Sequence, residues 1–324
     1  MLSRTADHLF WMARYTERAE NTARMLDVNV QTALLPHSDT SAELLWRGML
    51  GISELQPQYD AHYGALAPQH VLKFMVNDPS NPSSIAACLQ AARENARAVR
   101  GALTTEVWET INTTWLDLRH KLKDKALTRD PSQFFEWVKY RSHLSRGVMI
   151  GTMLKDEGFY FARLGTFLER ADNTARILDV KYHALAEQGM LRGGHEHDDV
   201  DHRLDFYHWA AILRSVSAFE IYRKVYSDVI TPARVAELLI LRGDMPRSLM
   251  NCVNEVVTNL AQVHNRHSGE TERRAGLLQA DLHYGRIDDI LQTGLHVYLT
   301  RFLERVNDLG DRISRDFLVP LSAA

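Results

Sequence analysis

The sequence has little glycine and little proline: 17 and 9 of its 324 residues, against typical usages of about 7% and 5%. Because these residues end helices and form tight turns, their scarcity predicts long regular elements and argues against an all-β protein of short strands. The only two cysteines, Cys88 and Cys252, exclude a disulfide framework and a four-cysteine zinc site. Cys252 lies in an apolar helical pattern, so we expect an inert core thiol.

The chain also lacks a strong excess of charge and any long hydrophobic run. With 38 basic and 41 acidic residues, its formal charge is −3, which gives no field that selects nucleic acid or an anionic membrane. The first residues contain no apolar segment typical of a secretory signal, and the longest uncharged apolar stretch, 147–154, is far shorter than a spanning helix. We expect a cytoplasmic protein with neither nucleic-acid nor membrane partners.

Apolar residues recur at helical spacing through nearly the whole chain, and no stretch alternates like a β-strand for more than four residues. This pattern predicts an all-α fold, a large bundle of about ten to twelve helices. Pro246 is expected to start one of them, with Asp244 as its cap. The predicted helices cover about 5–34, 41–55, 69–76, 83–118 with a bend near Gly101, 131–154, 156–187, 204–227, 232–241, 246–267, 270–282 and 287–318.

The clearest interruption is the polar segment 188–203, which contains three glycines and no apolar period. We predict a single domain, 1–324, in which this segment joins possible sub-bundles 1–187 and 204–324. Residues 195–202 contain three histidines and four carboxylates, a composition that could bind a divalent metal. We favour a dispensable solvated loop, because a loop offers no second layer of residues to fix ligand geometry.

Two predicted helices carry the same charged signature. Residues 17–28 (ERAENTARMLDV) and 169–180 (ERADNTARILDV) differ only at two conservative positions. A weaker third copy lies at 302–313, where Glu304 and Arg305 align with the Glu-Arg pairs at 17–18 and 169–170. Such repetition predicts three related helices whose equivalent faces meet.

Each copy places one polar stripe on its helix, at spacing i, i+4, i+7. The stripes are Glu17, Asn21 and Arg24, then Glu169, Asn173 and Arg176, and finally the purely acidic Glu304, Asp308 and Asp311. If the stripes converge, Asp308 and Asp311 are natural partners of Arg24 and Arg176. The resulting candidate polar cluster comprises Arg14, Glu17, Arg18, Asn21, Arg24, Glu169, Arg170, Asn173, Arg176, Glu304, Arg305, Asp308 and Asp311. Three interpretations stay open: a structural clamp of buried, paired charges, a polar cavity that binds a substrate or a metal, or a solvated face.

These motifs resemble those of the bacterial alpha-E domain family, an all-helical family named for its Glu-Arg motif. The likeness covers essentially the whole chain, with Ala13 and Thr16 where members often carry glycine and leucine. It implies a partner of circularly permuted ATP-grasp carboxylate–amine ligases and of transglutaminase-like cysteine peptidases. The matching segments are 2–6, 11–24, 91–100, 167–176, 213–223 and 244–248.

A second group of residues is less specific. Arg93, Arg97 and Arg100, with Glu94 beside them, form a helical stripe that could grip a carboxylate or phosphate or form a solvated face with local ion pairs. By resemblance alone, the candidates for the same cavity also include Glu220, Tyr222, Arg223 and Arg247.

Two classes of function fit this sequence, and a purely structural scaffold is a further alternative. In the first class, the protein is a noncatalytic partner that holds a peptide or a small amide-linked substrate for a separate ligase. In the second, it is an enzyme that acts on such intermediates through its Glu-Arg clusters. The sequence contains no Gly-rich phosphate loop and no nucleophile elbow, which favours the first class, and it assigns no catalytic residue, metal or cofactor.

Overall fold

The computed structural model describes residues 1–33, 39–187 and 208–318. These residues form sixteen α-helices and one 3₁₀ turn (Arg100–Ala102), with no strand among them. The predicted all-α class is confirmed. The helices are α1 Ser3–Thr32, α2 Asp39–Ile52, α3 Gln56–Tyr63, α4 Pro68–Asn77, α5 Ile85–Ala98, α6 Thr105–Lys123, α7 Ala126–Arg129, α8 Pro131–Thr152, α9 Glu157–Glu187, α10 208–215, α11 Phe219–Tyr226, α12 Pro232–Ile240, α13 Leu249–Gln262, α14 Gly269–His283, α15 Ile287–Thr293 and α16 Leu295–Phe317.

The two long helices that carry the closely matched repeats, α1 and α9, pack side by side at the centre of the bundle. Arg14 contacts Glu169 and Arg170 contacts Glu17, at sequence separations of 155 and 153 residues. Because this offset is nearly constant along the pair, the helices run parallel. α5 and α8 pack on α1, whereas α13, α16 and α2 pack on α9.

Close approach of the two helices depends on Gly165 of α9. A Cβ at this position would lie 2.2 Å from the carbonyl oxygen of Phe10 in α1, well inside any tolerable contact. The equivalent residue of the first repeat is Ala13, which is itself buried. The absence of a side chain at Gly165 thus sets how closely the repeated faces meet.

The third copy of the signature lies on α16 and faces outward. The buried residues of this helix recur at helical spacing and include Phe302, Val306 and Leu309. Glu304 and Arg305 stand on the opposite, exposed side. The prediction that all three stripes converge is therefore wrong for the third, because the apolar stripe of α16 takes the side that faces the core.

Several predicted helix boundaries differ from the structure. The helix predicted over 287–318 breaks at Gly294, whose φ of +99° is a conformation that glycine adopts without strain. The helix predicted over 83–118 is divided by the 3₁₀ turn, and the segment with Pro57 forms α3 with proline in its first turn. α13 begins after Pro246, capped by the Ser248 hydroxyl rather than by Asp244. These divisions explain why the described residues contain more helices than expected.

The segment 188–203 lies outside the described residues, so the division into sub-bundles stays a prediction. The same holds for the proposed loop at 195–202. In the parts of the chain that the structure describes, no helix combines the length and the apolar character needed to cross a membrane.

Candidate functional site between the repeated helices

The Glu-Arg pairs of the two repeats exchange partners across the α1–α9 contact. Arg18 of α1 donates from Nε and Nη2 to the Glu169 carboxylate of α9, at 2.5 and 3.0 Å. Arg170 of α9 donates from Nε and Nη2 to Glu17 of α1, both at 2.9 Å. Equivalent residues make equivalent contacts, so the parallel pair has approximate two-fold symmetry about an axis along the helices.

A second pair of contacts repeats within each helix. Arg24 donates from Nε to Glu20 at 2.8 Å, and Arg176 donates from Nε to Asp172 at 2.9 Å. The two-fold relation thus divides the cluster into two halves, each with a carboxylate pair, an asparagine and two arginines. The first half-site comprises Glu17, Glu20, Asn21 and Arg24 of α1 with Arg170 of α9, and the second half-site comprises Glu169, Asp172, Asn173 and Arg176 of α9 with Arg18 of α1.

Two further arginines fill the first half-site. Arg247, in the turn before α13, donates from Nη1 to Glu17 at 3.0 Å and to Asn21 Oδ1 at 2.8 Å, and from Nη2 to Glu20. Arg146 of α8 approaches Glu17 at 2.8 Å and Glu20 at 2.5 Å. The carboxylates of this half-site therefore face guanidinium groups from four helices or turns.

This surplus of cations decides the charge state of the buried carboxyls. Burial by itself would raise the pKa of Glu17, but the nearby guanidiniums, Arg170 foremost, lower it to about 2. Burial likewise opposes ionisation of Glu20, and Arg247 and Arg146 hold its pKa well below the ordinary value. Both carboxylates stay ionised and hydrogen-bonded, as burial of charge requires. The first half-site has the geometry of a clamp.

The second half-site encloses a cavity of about 220 Å³ instead. Residues of α1 and α9 form one wall, and the turn after α2, α4 and the loop before α5 form the other. Charged groups, amides, hydroxyls and a few apolar side chains share the surface. The lining residues are Arg18, Asn21, Thr22, Met25, Ile52, Ser53, Glu54, Met75, Ser83, Glu169, Asp172, Asn173 and Arg176.

The carboxylates of this cavity differ in how completely they are paired. Glu169 accepts from Arg18 and, at 2.8 Å, from Nε of Arg14, and its pKa is lowered although burial opposes this. Asp172 has one ion pair in the described residues, with Arg176, whose Nη1 also reaches Glu54 at 2.6 Å. Burial outweighs that single contact and raises the pKa of Asp172.

Two asparagine side chains of the lining keep unused hydrogen-bonding capacity. The Oδ1 of Asn21 accepts a hydrogen bond from Arg247, and its Nδ2 is buried without a partner among the described residues. Asn173, the equivalent residue of the second repeat, makes no side-chain hydrogen bond within the described ranges. Because buried amide groups are nearly always hydrogen-bonded, the Nδ2 of Asn21 calls for a partner that the described residues do not supply, whereas Asn173 is only partly buried.

The predicted pairing of the stripes is corrected by these contacts. Arg24 bonds Glu20, Ser217 and His143 rather than Asp308, because its own helix supplies a carboxylate four residues earlier. Asp308 pairs instead with Arg274 and Arg312 on the exposed side of α16.

Two further residues of the third copy, Asp311 and Arg305, are also separate from both half-sites. Arg176 bonds Asp172 and Glu54 rather than Asp311, which is exposed. Arg305 pairs with Asp281. Glu304 is the one residue of the stripe that comes near the second half-site, since it lines an open hollow of about 300 Å³ together with Arg176.

The less specific candidates, the arginine stripe at 93–100 and the residues added by resemblance, also lie partly inside and partly outside the half-sites. Arg247, a candidate for the cavity by resemblance alone, lies in the first half-site against Glu17 and is not among the residues that line the cavity. Tyr222 is buried and donates to the carbonyl of Val229. The others lie at or near the surface: Arg93 and Arg97 pair with Glu94, Arg100 stacks on Trp108, and Glu220 and Arg223 line a shallow hollow on α11.

Sequence reasoning missed Arg146, Ser142 and His143 of α8. Ser142 donates to Glu20 at 2.7 Å, and the His143 ring nitrogens contact Arg24 and Arg146 at 3.0 and 2.8 Å. α8 contains no copy of the signature, so no pattern identified them. Glu20 and Asp172, in contrast, stand at equivalent repeat positions four residues before an arginine, a signal that was present in the sequence.

Neither cysteine belongs to the cavity lining. Cys88 and Cys252 are completely buried, and burial raises the pKa of each thiol to about 12. This environment matches the inert core thiol predicted for Cys252.

The Glu-Arg signature also appears in the description of a known protein family. A family model named Alpha-E, described as a predicted alpha-helical domain with a conserved ER motif, matches residues 1–318. Relatives include uncharacterized proteins of Mycobacterium bovis and Mycobacterium tuberculosis, each 23% identical over 94% of this chain. The chain spans about a third of the length of these relatives, 35% of each. No solved structure matches it significantly. The match over nearly all its length shows that this chain belongs to the alpha-E family.

Proposed function

We propose that this protein is a helical partner of an ATP-grasp carboxylate–amine ligase and holds a peptide or small amide-linked substrate in the cavity of the second half-site. The observation that carries the proposal is the unequal filling of two equivalent half-sites. In the first half-site, Arg247 and Arg146 each form ion pairs with both carboxylates, Glu17 and Glu20. The second half-site instead encloses a cavity, and the Nδ2 of Asn21 in its lining has no hydrogen-bond partner among the described residues.

The chemistry of the lining suits a small polar ligand. The cavity is smaller than the roughly 300–1,000 Å³ typical of drug-sized ligand sites, so it fits one amino-acid-sized group rather than a folded peptide. Arg18 and Arg176 offer guanidinium donors, and Asp172 and Glu54 offer carboxylate acceptors. A substrate that has an amide group and a charged end could bind the guanidinium donors and the carboxylate acceptors at the same time. The ligase partnership itself comes from the family resemblance.

A cavity-blocking variant tests the proposal. The chain would be co-expressed with a circularly permuted ATP-grasp ligase of the same organism, and co-purification, ligase product and bound small molecules would be measured by mass spectrometry. Ser83 lines the cavity, so Ser83→Trp should abolish chain-dependent product. Thr113, exposed on α6, provides the matched control, and Thr113→Trp should leave product unchanged.

Two results would overturn the proposal. Equal product with both tryptophan variants would show that the cavity is not the substrate site. Turnover of a peptide or amide by the purified chain without any ligase would favour the alternative in which the protein is itself an enzyme.

A further inference from the structure

The two-fold relation between the half-sites indicates what the cavity lacks. In the first half-site, one guanidinium, that of Arg247, contacts Glu17, Glu20 and Asn21 together. The equivalent residues in the second are Glu169, Asp172 and Asn173, and all three line the cavity. Within the described residues, no guanidinium contacts these three as a set.

We propose that the cavity binds a cationic group of its ligand, a guanidinium or a primary ammonium, in the place that corresponds to the Arg247 guanidinium. The inference rests on the proposed function only in taking the cavity as the ligand site. It specifies the ligand class as an amino acid or peptide end that carries a basic side chain, whose guanidinium or ammonium group occupies this place.

The electrostatic difference between equivalent carboxyls supports this assignment. Glu20 accepts from three arginines and a serine, whereas Asp172 has Arg176 as its one ion pair in the described residues. The pKa of Glu20 is lowered and that of Asp172 is raised. A bound cation would give Asp172 the second charged contact that its counterpart already has, and would offset the cost of its burial.

The α1 residues of the lining offer donors. The unpartnered Nδ2 of Asn21 is buried there, and the Arg18 guanidinium lies beside it in the lining. Donors on α1 and an under-paired carboxylate on α9 select a ligand that has both an acceptor, such as a carbonyl or carboxylate, and a cation. Arginine and lysine residues at a peptide end have both.

The test compares ligands that differ only in charge. Free L-arginine and L-citrulline have nearly the same shape, but citrulline is neutral; L-lysine and L-norleucine form a second pair. Binding would be measured by calorimetry at constant ionic strength. We expect arginine to bind at least about tenfold more tightly than citrulline, the difference that one charge-assisted hydrogen bond can supply.

Three variants assign the effect to Asp172. Asp172→Asn should remove the preference for arginine, whereas Asp281→Asn, which alters an exposed ion pair with Arg305, should retain it. Because Asp172→Asn also weakens the contact to Arg176, a second approach adds a cation: Ser83→Arg should supply a resident guanidinium, raise the melting temperature and abolish arginine binding.

The outcomes separate this inference from the proposed function. Equal affinity for arginine and citrulline, or no binding of either basic amino acid, would overturn the cation assignment even if Ser83→Trp still abolished ligase product. Preferential arginine binding together with unchanged product in Ser83→Trp would instead support the cation site and overturn the proposed function.

Discussion

Arg170 holds both oxygens of the Glu17 carboxylate, with Nε and Nη2 each 2.9 Å away. Both side chains are nearly inaccessible to water, and such bidentate, charge-assisted contacts are strong and directional. Since the equivalent contact from Arg18 to Glu169 runs the other way across the helix pair, each repeat supplies the cation that neutralises the other.

Removing Arg170 should therefore destabilise the protein strongly. Arg170→Ala leaves Glu17 buried with fewer cations, a change that typically costs about 3–5 kcal/mol. Arg305→Ala, at the same motif position on α16 but exposed, should cost less than about 1 kcal/mol. Denaturant unfolding measures both. The double variant Arg170→Ala with Glu17→Ala should be less destabilised than the sum of the singles; strict additivity would contradict the pairing.

Gly165 should tolerate no side chain. Gly165→Ala places a Cβ 2.2 Å from the Phe10 carbonyl oxygen, so the helices must separate, at a cost of about 1–3 kcal/mol typical of overpacking. Gly147, exposed in α8 with open space around its Cβ position, is the matched control. Gly147→Ala should stabilise slightly, by up to about 1 kcal/mol, through helix propensity. Equal melting temperatures for the two variants would refute the close approach.

Acid should remove the contribution of the first half-site. The pKa of Glu17 falls from 4.5 to about 2 on folding, so its stabilisation is complete above pH 4.5 and is lost as the pH falls towards 2. Urea unfolding at intervals between pH 5 and 2 should show this decline. The decline should be shallower in Glu17→Gln than in Glu109→Gln, an exposed control on α6. Parallel curves would show that Glu17 does not titrate in this range.

The two cysteines should react only when the protein opens. Both are fully buried, and burial raises their pKa to about 12, so neither thiolate nor access is available in the folded state. Ellman's reagent should find two thiols in guanidinium and none in native protein within minutes. Fast labelling of native protein would contradict the packing around Cys88 or Cys252.

Local pattern predicted much of the fold because helical spacing of apolar residues is a strong signal. It also predicted that the first two polar stripes face each other. The position of the third stripe was predicted wrongly. Its similarity in charge to the other two stripes does not show which face of α16 is apolar and packs on the core. Gly294 was visible in the sequence, but its φ of +99°, which ends α15, was not.

The site was less accessible to sequence reasoning than the fold. Arg146 and Arg247 come from segments without a repeat, and their positions depend on how α8 and the turn before α13 pack on α1. The cavity depends on an absence, because among the described residues no arginine takes the place in the second half-site that Arg247 takes in the first. Such an absence becomes visible only when the two equivalent sets of contacts are compared in three dimensions.

The parallel pairing of α1 with α9 also has a kinetic consequence. Glu17 and its partner Arg170 are 153 residues apart, so at about 5–20 residues per second the ribosome adds Arg170 roughly 8–30 s after Glu17. Through that interval the nascent first helix has no α9 against which to bury its apolar and charged residues. Contacts so distant in sequence also slow folding. Synthesis of this chain thus includes a period in which α1 can pack on α5 and α8 but not yet on its repeat partner.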